Sequence, residues 1–419
     1  MFIKPLYGCA ISLLFLLYSV SSAAVSIEVT AEFKPDSANP ARNEFTNTTP
    51  FTGHCASYPT FCSDLSIFSI LVPIKFNSIS AIDARHTDVR KGAMFRAPTD
   101  WRPLQVVNKD TREESTLYVR IASIGARYYL PGTVQSLIGE GAPTSDIEAH
   151  EKLWGGYNWT YPSPPCFYTG GMFVQPTWRS FFWLTAAGGG MCAPTADYQI
   201  SSLYYDRFQI GYALRTPNPL GMSAGQYVGS YTYSVGPGLD FDMGDIMLPE
   251  DNSLTINFTL DVQHTLRVDI PPGGNKVELV PQGGWQGWLQ QGRKPTRLFR
   301  DQAFNISASS RFKMNLECEY SQDSKTCAVR DSVSGHAVPM NISVSLPQGL
   351  TDGDGAPVNR RQLQRDGSGT QLFQPGFYVD RKPGTLHFEI PASEVAEMIR
   401  PERQRHYSGS VTVIWDSDV

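Results

Sequence analysis

Charge is what this 419-residue sequence has least of. Only 18% of its residues are Asp, Glu, Lys or Arg, against roughly a quarter in an ordinary soluble domain. The formal balance is -5, so there is no basic excess for a nucleic-acid backbone or an anionic lipid surface. The 7 histidines are scattered, and no C-x-x-C pair occurs, which removes the ordinary zinc patterns. No internal repeat is visible. No apolar run approaches the ~18 residues of a membrane-spanning helix. What is present is 41% hydrophobic residues, 12% aromatics, 36 Gly and 30 Pro. That excludes a disordered polar chain, which has too little apolar surface to bury. It also excludes a coiled coil or helical bundle, whose interiors tolerate little Gly or Pro.

The first 24 residues read as a secretory signal peptide. Lys4 precedes an apolar stretch from Ala10 to Tyr18, and the small residues Ser21, Ser22, Ala23 and Ala24 follow. A basic start, a short apolar core and a small-residue exit are the marks of export. Cys9 leaves with this segment. The cysteines that remain are Cys55, Cys62, Cys166, Cys192, Cys318 and Cys327. An even set behind an export signal reads as disulfides in an oxidising compartment. Many connectivities are open, and sequence neighbours suggest 55–62, 166–192 and 318–327. Only His54 lies beside one of these pairs, so no metal or cofactor is expected.

Strand patterns run through the rest. LTINFTLDV, Leu254 to Val262, places Leu254, Ile256, Phe258, Leu260 and Val262 on one face and polar residues on the other. That is the period of a half-buried strand. Leu266, Val268 and Ile270 repeat it. So do Met314, Leu316, Cys318 and Tyr320, then Val338, Met340, Ile342, Val344 and Leu346, and finally Val411, Val413 and Trp415. PPGG at Pro271 and DGDG at Asp352 punctuate these runs. Helical pattern is confined to Ile147–Leu153 and Ala392–Ile399. Many short strands between Gly/Pro turns predict an all-β chain of two immunoglobulin-like sandwiches. A linker is expected at 263–265, between domains at 25–262 and 266–419. Charge divides there too: residues 25–265 carry 16 basic and 23 acidic side chains, residues 266–419 carry 18 and 17.

Catalytic patterns are weak, and no catalytic residue is assigned. GMSAG at Gly221 fits G-x-S-x-G, but that motif needs a strand before Ser223 and a helix after it. Here PNP precedes it and the strand-like QYVGSYTYSV follows. Asp240, Asp242, Asp245, Glu250 and Asp251 form an acidic group that could serve calcium or glycoside cleavage. It sits in a Gly/Pro-rich connection, which favours a solvated loop. DGDG lacks the later Gly and Glu of a calcium loop. A secreted β-sandwich that processes glycans through residues 240–251 is the enzymatic alternative.

GGWQGWLQQGRKP (Gly283 to Pro295), SSRFKMNLECEY (Ser309 to Tyr320), VNRRQL (Val358 to Leu363), LHFEIP (Leu386 to Pro391) and YSGSVTVIWDSDV (Tyr407 to Val419) together carry a resemblance. This half of the chain resembles the minor tip subunits of alternate (class 5) chaperone–usher pili, which include cable-pilus initiators and colonisation-factor tip adhesins. The resemblance implies a C-terminal pilin sandwich that lacks its last strand. The gap would lie between Leu266, Val268 and Ile270 on one side and Val411, Val413 and Trp415 on the other. A periplasmic chaperone would fill it first and the N-terminal strand of a major pilin subunit next, at an outer-membrane usher. No further strand follows VTVIW in this sequence, which agrees. VSIEVTAEF, Val25 to Phe33, reads as the first strand of the preceding domain.

The resemblance makes residues 25–262 a receptor-binding domain. Its richest segment is Trp154 to Trp183, which holds Trp154, Tyr157, Trp159, Tyr161, Phe167, Tyr168, Phe173, Trp178, Phe181, Phe182 and Trp183. Flat aromatic faces suit the apolar faces of sugars. Trp154, Tyr157, Trp159 and Tyr161 are therefore the candidate receptor contacts, while FFWL at Phe181 reads as core. Arg120, Arg127, Arg207 and Arg215 read as solvated. The expectation is a non-enzymatic adhesin and assembly initiator at a pilus tip on the bacterial surface, binding a host glycan or glycoprotein. A purely structural initiator is the other alternative.

Overall fold

The computed structural model describes residues 25–155, 158–170, 172–400 and 405–417. The predicted signal peptide lies outside them. The described chain is all-β in architecture and holds two large hydrophobic cores. One is built from residues between Ile27 and Val262, the other from residues between Leu298 and Val395.

The principal strands of the first unit are β1 (Val25–Phe33), β2 (Phe76–Ser78), β3 (Arg102–Asn108), β4 (Glu114–Tyr129), β5 (Trp178–Thr185), β6 (Tyr204–Arg215), β7 (Gly225–Ser234), β8 (Met247–Pro249) and β9 (Ser253–Val262). Their order across the sheet is β8-β2-β6-β4-β3-β7-β9-β1. The 16-residue β4 pairs with β6 along most of its length. Its other edge is shared, with β3 on the first half and β5 on the second. That change of partner lets one long strand bend around the core. β9 buries every second residue, Leu254 through Val262, as its period demands. β1 lies parallel to β9 in unbroken register from Val25↔Leu254 to Phe33↔Val262, and sends Ile27, Val29, Ala31 and Phe33 into the core. Helix α1 (Asp146–Leu153) starts where the Ser145 side chain accepts the Glu148 amide, an N-cap.

The second unit contains β10 (Leu266–Asp269), β11 (Leu298–Ala308), β12 (Lys313–Cys318), β13 (Cys327–Asp331), β14 (Ala337–Ser345), β15 (Val379–Ile390) and β16 (Val411–Asp416), with α2 at Ala392–Met398. One sheet runs β10-β11-β15-β14-β13, and β12 pairs with β16 in a separate ladder. The connection 263–265 is bonded on both sides. Gln263 N–H donates to Phe33 O, His264 Nε2 lies 2.8 Å from Met222 O, and Thr265 N–H donates to Ser309 Oγ at 2.9 Å.

Cys55–Cys62, Cys166–Cys192 and Cys318–Cys327 are disulfide-bonded. Each closes a short loop and contributes about 2–4 kcal/mol by the chain-entropy account. Phe258, at the centre of β9 and 1% exposed, tests the core directly. Phe258→Ala is expected to cost about 3–5 kcal/mol, read by chemical denaturation of the full chain.

Candidate functional site

Two strands of the second unit carry a single ladder each. Among the described residues β11 is the only strand paired with β10, and β12 the only one paired with β16. Leu266, Val268, Val411, Val413 and Trp415 are only half-buried, yet all pack against the core. Ile270 is 52% exposed. Trp415 reaches inward, 5.0 Å from the Phe304 ring on β11 and 5.8 Å from Phe312. Phe304 and Phe312, both buried, thus pack against it; neither was singled out from the sequence. Half-covered apolar side chains on strands with one neighbour each are the features that strand addition uses.

The aromatic segment of the first unit sorts differently. Trp154 and Trp159 are 1% and 0% exposed, so their ring faces are covered by protein and are not available to a ligand. A hydrogen-bond chain holds Trp154. Trp154 Nε1–H donates to Tyr128 Oη at 3.2 Å, and Tyr128 Oη lies 2.7 Å from His150 Nδ1. His150 Nε2 is 2.9 Å from Gln175 O. A carbonyl only accepts, so Nε2 carries the proton and Nδ1 accepts from Tyr128. Burial holds His150 neutral, with its pKa drawn down to about 4. Trp159 stacks on Trp183 at 5.5 Å and meets Phe95 and Phe181 edge-on or tilted. Arg179, fully buried on β5, bonds Thr160 and lies 3.9 Å from Glu151, which ties the segment down. Tyr161 is 66% exposed. Tyr157 lies outside the described residues. Phe181, Phe182 and Trp183 are core, as read from FFWL.

The arginines are not all simply solvated. Arg120 and Arg215 flank the Trp101 ring at 5.5 and 4.2 Å, and Arg127 covers Trp178 at 4.0 Å.

Three of the five residues of the acidic group, Asp240, Asp242 and Asp245, are tied into ion pairs. Arg102 holds Asp240 at 2.7 Å, and Arg90 holds Asp242 at 2.9 Å and Asp245 at 2.6 Å. Burial raises the Asp242 carboxyl, but bonds from Arg90 and the Gly244 amide outweigh it and leave it below the usual carboxylate range. Asp240 is lowered in the same way, with burial opposed by Ser234 and Arg102. Glycoside cleavage needs one carboxyl kept protonated, and these two are held ionised. No group of three or more potential metal ligands occurs among the described residues.

No protein-family model matches the chain, and no curated protein matches it. Solved structures with partial likeness include CfaE, the adhesive subunit of the CFA/I fimbria of enterotoxigenic Escherichia coli. It is 12% identical over 94% of this chain and 92% of that one, with a TM-score of 0.23. A chaperone–tip adhesin complex of CFA/I fimbriae biogenesis gives 10% identity, 94% and 97% coverage and a TM-score of 0.25. The CsuC–CsuE chaperone–tip subunit pre-assembly complex of Acinetobacter baumannii Csu pili gives 10%, 94% and 99%, with a TM-score of 0.21.

Two outcomes follow from this geometry. Trp159→Ala is expected to lower stability by about 3–5 kcal/mol, seen as a drop in the melting temperature of the first unit. Stability should also fall as pH drops from about 6.5 towards 4. Burial lowers His54 and His150 to about 4, so in that window the unfolded chain binds protons that the folded chain refuses. Below about pH 4 the contribution of Asp240 and Asp242 is lost in turn, because their folded values are depressed. Denaturation midpoints between pH 7 and pH 3 check both.

Proposed function

We propose that this chain is a pilus-tip adhesin and assembly initiator, exported to the bacterial surface by a chaperone–usher route. Its second domain is an immunoglobulin-like pilin sandwich short of one strand. A periplasmic chaperone strand and then the N-terminal strand of a major pilin fill the groove between β10 and β16, with assembly at an outer-membrane usher. Its first domain binds a host glycan or glycoprotein. The observation that carries this reading is that β10 and β16 have one neighbour each among the described residues, while their Leu266, Val268, Val411, Val413 and Trp415 are half-buried against the core. Such an edge aggregates unless something pairs with it. The sequence resemblance of Gly283 to Val419 to class 5 tip subunits points the same way. In the first domain Asp240, Asp242 and Asp245 are occupied by Arg90 and Arg102, which favours a binding role over glycan cleavage there.

Amide exchange of the full chain tests the groove. A synthetic peptide with the alternating apolar residues of a pilin N-terminal strand should protect the amides of β10 and β16 at least tenfold while leaving β9 unchanged. Val413→Asp should abolish that protection. Full protection of both edges without any peptide would mean that the sandwich is already complete, and the assembly role would fall.

A further inference from the structure

Three neighbouring strands of the second domain, β11, β15 and β14, bring an aspartate, a histidine and a serine into one hydrogen-bonded line. Asp301 on β11 and His387 on β15 stand opposite each other in the ladder. Ser345 ends β14, two residues beyond Ser343, the register partner of His387. Residues two apart share a face of the sheet, and such a diagonal neighbour is within reach of a long side chain. His387 Nδ1 is 2.7 Å from Asp301 Oδ1, and His387 Nε2 is 2.9 Å from Ser345 Oγ. A carboxylate only accepts, so in the neutral ring Nδ1 carries the proton and Nε2 accepts from the Ser345 hydroxyl. A hydroxyl, a base and a carboxylate that fixes the tautomer of the base are together the parts that activate a serine.

The segment after Val358 completes the surroundings of the hydroxyl. Arg361 and Gln362 pair with Val344 and Ser343 on β14, which lays the preceding residues beside Ser345. The Arg360 amide donates to Ser345 Oγ at 3.0 Å, and the Asn359 side-chain amide approaches Oγ at 3.2 Å. Ser345 has one proton and gives it to His387. Asn359 therefore turns its Nδ2–H towards Oγ, an orientation set by the network. The oxygen then donates once and accepts twice, its full capacity. Arg360 makes its bond from a left-handed backbone, with φ of 46°. That conformation costs such a residue about 1–3 kcal/mol and collects at functional sites. The Arg360 guanidinium lies 3.7 Å from Asp301 Oδ2. The His387 side chain is 9% exposed and that of Asp301 46%. Ser345 is half-buried, while Asn359 and Arg360 are exposed, so the base is held inside and the nucleophile opens towards solvent.

We propose that Ser345 is a nucleophile that takes the acyl group of a small carboxylic ester, with His387 as its base and Asp301 positioning His387. Ser345 Oγ bonds to the ester carbonyl carbon while His387 Nε2 takes the hydroxyl proton. The N–H groups of Asn359 and Arg360 stabilise the negative charge that develops on the carbonyl oxygen. The bond to the leaving alcohol then breaks, and His387 gives that alcohol the proton. Water reverses the sequence. His387 takes a proton from it, its oxygen bonds to the acyl carbon, the Ser345 ester breaks, and Ser345 regains a proton as the carboxylic acid leaves. An open site supplies little desolvation and little substrate positioning, so it suits an ester and not a peptide bond. The activity is independent of receptor binding and of strand addition.

Labelling of the full chain with a fluorophosphonate tests it, because this reagent bonds its phosphorus to an activated serine oxygen and loses fluoride. The wild type should be labelled at Ser345, located by peptide mass mapping, and should hydrolyse p-nitrophenyl acetate. Ser345→Ala should remove both. His387→Gln should slow labelling at least about a hundredfold. Asp301→Asn should slow it about tenfold or more, because the wrong tautomer is then favoured. Asp301→Glu should restore part of that rate, a recovery that a purely structural role would not give at equal melting temperature. Should the His387 variant not fold, the wild type unfolded in urea takes its place, since a serine activated by its neighbours loses its label with the fold. Absence of label at Ser345, a rate equal to that of the unfolded chain, or unchanged labelling of folded His387→Gln overturns the proposal. Labelling at Ser345 without turnover of the ester also overturns it.

Discussion

The edges of a β-sheet must find partners for their outward N–H and C=O groups, and the two halves of this chain meet that demand in opposite ways. In the first, β1 supplies nine residues in parallel register along β9 and places four side chains in the core. The strand position beside β9 is filled from within. In the second, β10 and β16 each stop at one neighbour. The half-buried side chains between them are neither core nor surface. That asymmetry organises the rest: the first domain fills the position beside β9 from its own chain, while the second leaves β10 and β16 with one neighbour each among the described residues.

The first domain spends its aromatic residues on rigidity. Trp154, Trp159 and Trp183 are buried together with Tyr128 and His150, and the polar atoms of Trp154, Trp183, Tyr128 and His150 are tied to one another or to backbone carbonyls. A buried network of this kind specifies one packing, because each donor has few alternatives. It also couples the domain to acid through its neutral histidines. The aromatic rings left outside, Tyr161, Phe167, Tyr168 and Phe173, stand on a segment held in place by that network and by Arg179.

Much of this fold was legible in the sequence, and the reasons differ by element. The alternation in β9, β12 and β14 predicts which side chains are buried, because a strand with one wet face has only one register that hides its apolar set. The three disulfides join sequence neighbours, so local spacing sufficed. Leu266, Val268, Val411, Val413 and Trp415, half-buried in the structure, were marked by the same alternation. Trp154 and Trp159 were misplaced because tryptophan suits a core and a sugar face equally well, and the choice was made by Tyr128 and Phe95 from distant strands.

The junction between the halves adds a last constraint. A three-residue connection would ordinarily act as a hinge, yet each of its residues is bonded. Gln263 and His264 are held by Phe33 and Met222 of the first domain, His264 and Thr265 by Ser309 of the second. Arg311 adds a 4.0 Å pairing with Glu113. His264 is largely buried, and burial lowers its pKa despite the Met222 carbonyl, so His264 is uncharged at neutral pH. A connection bonded on both flanks loses most of the entropy that a flexible linker keeps. Strand β9, which ends at this junction, carries β1 on one edge and β7 on the other. The second domain is therefore joined to a strand paired on both edges, not to a loose tether.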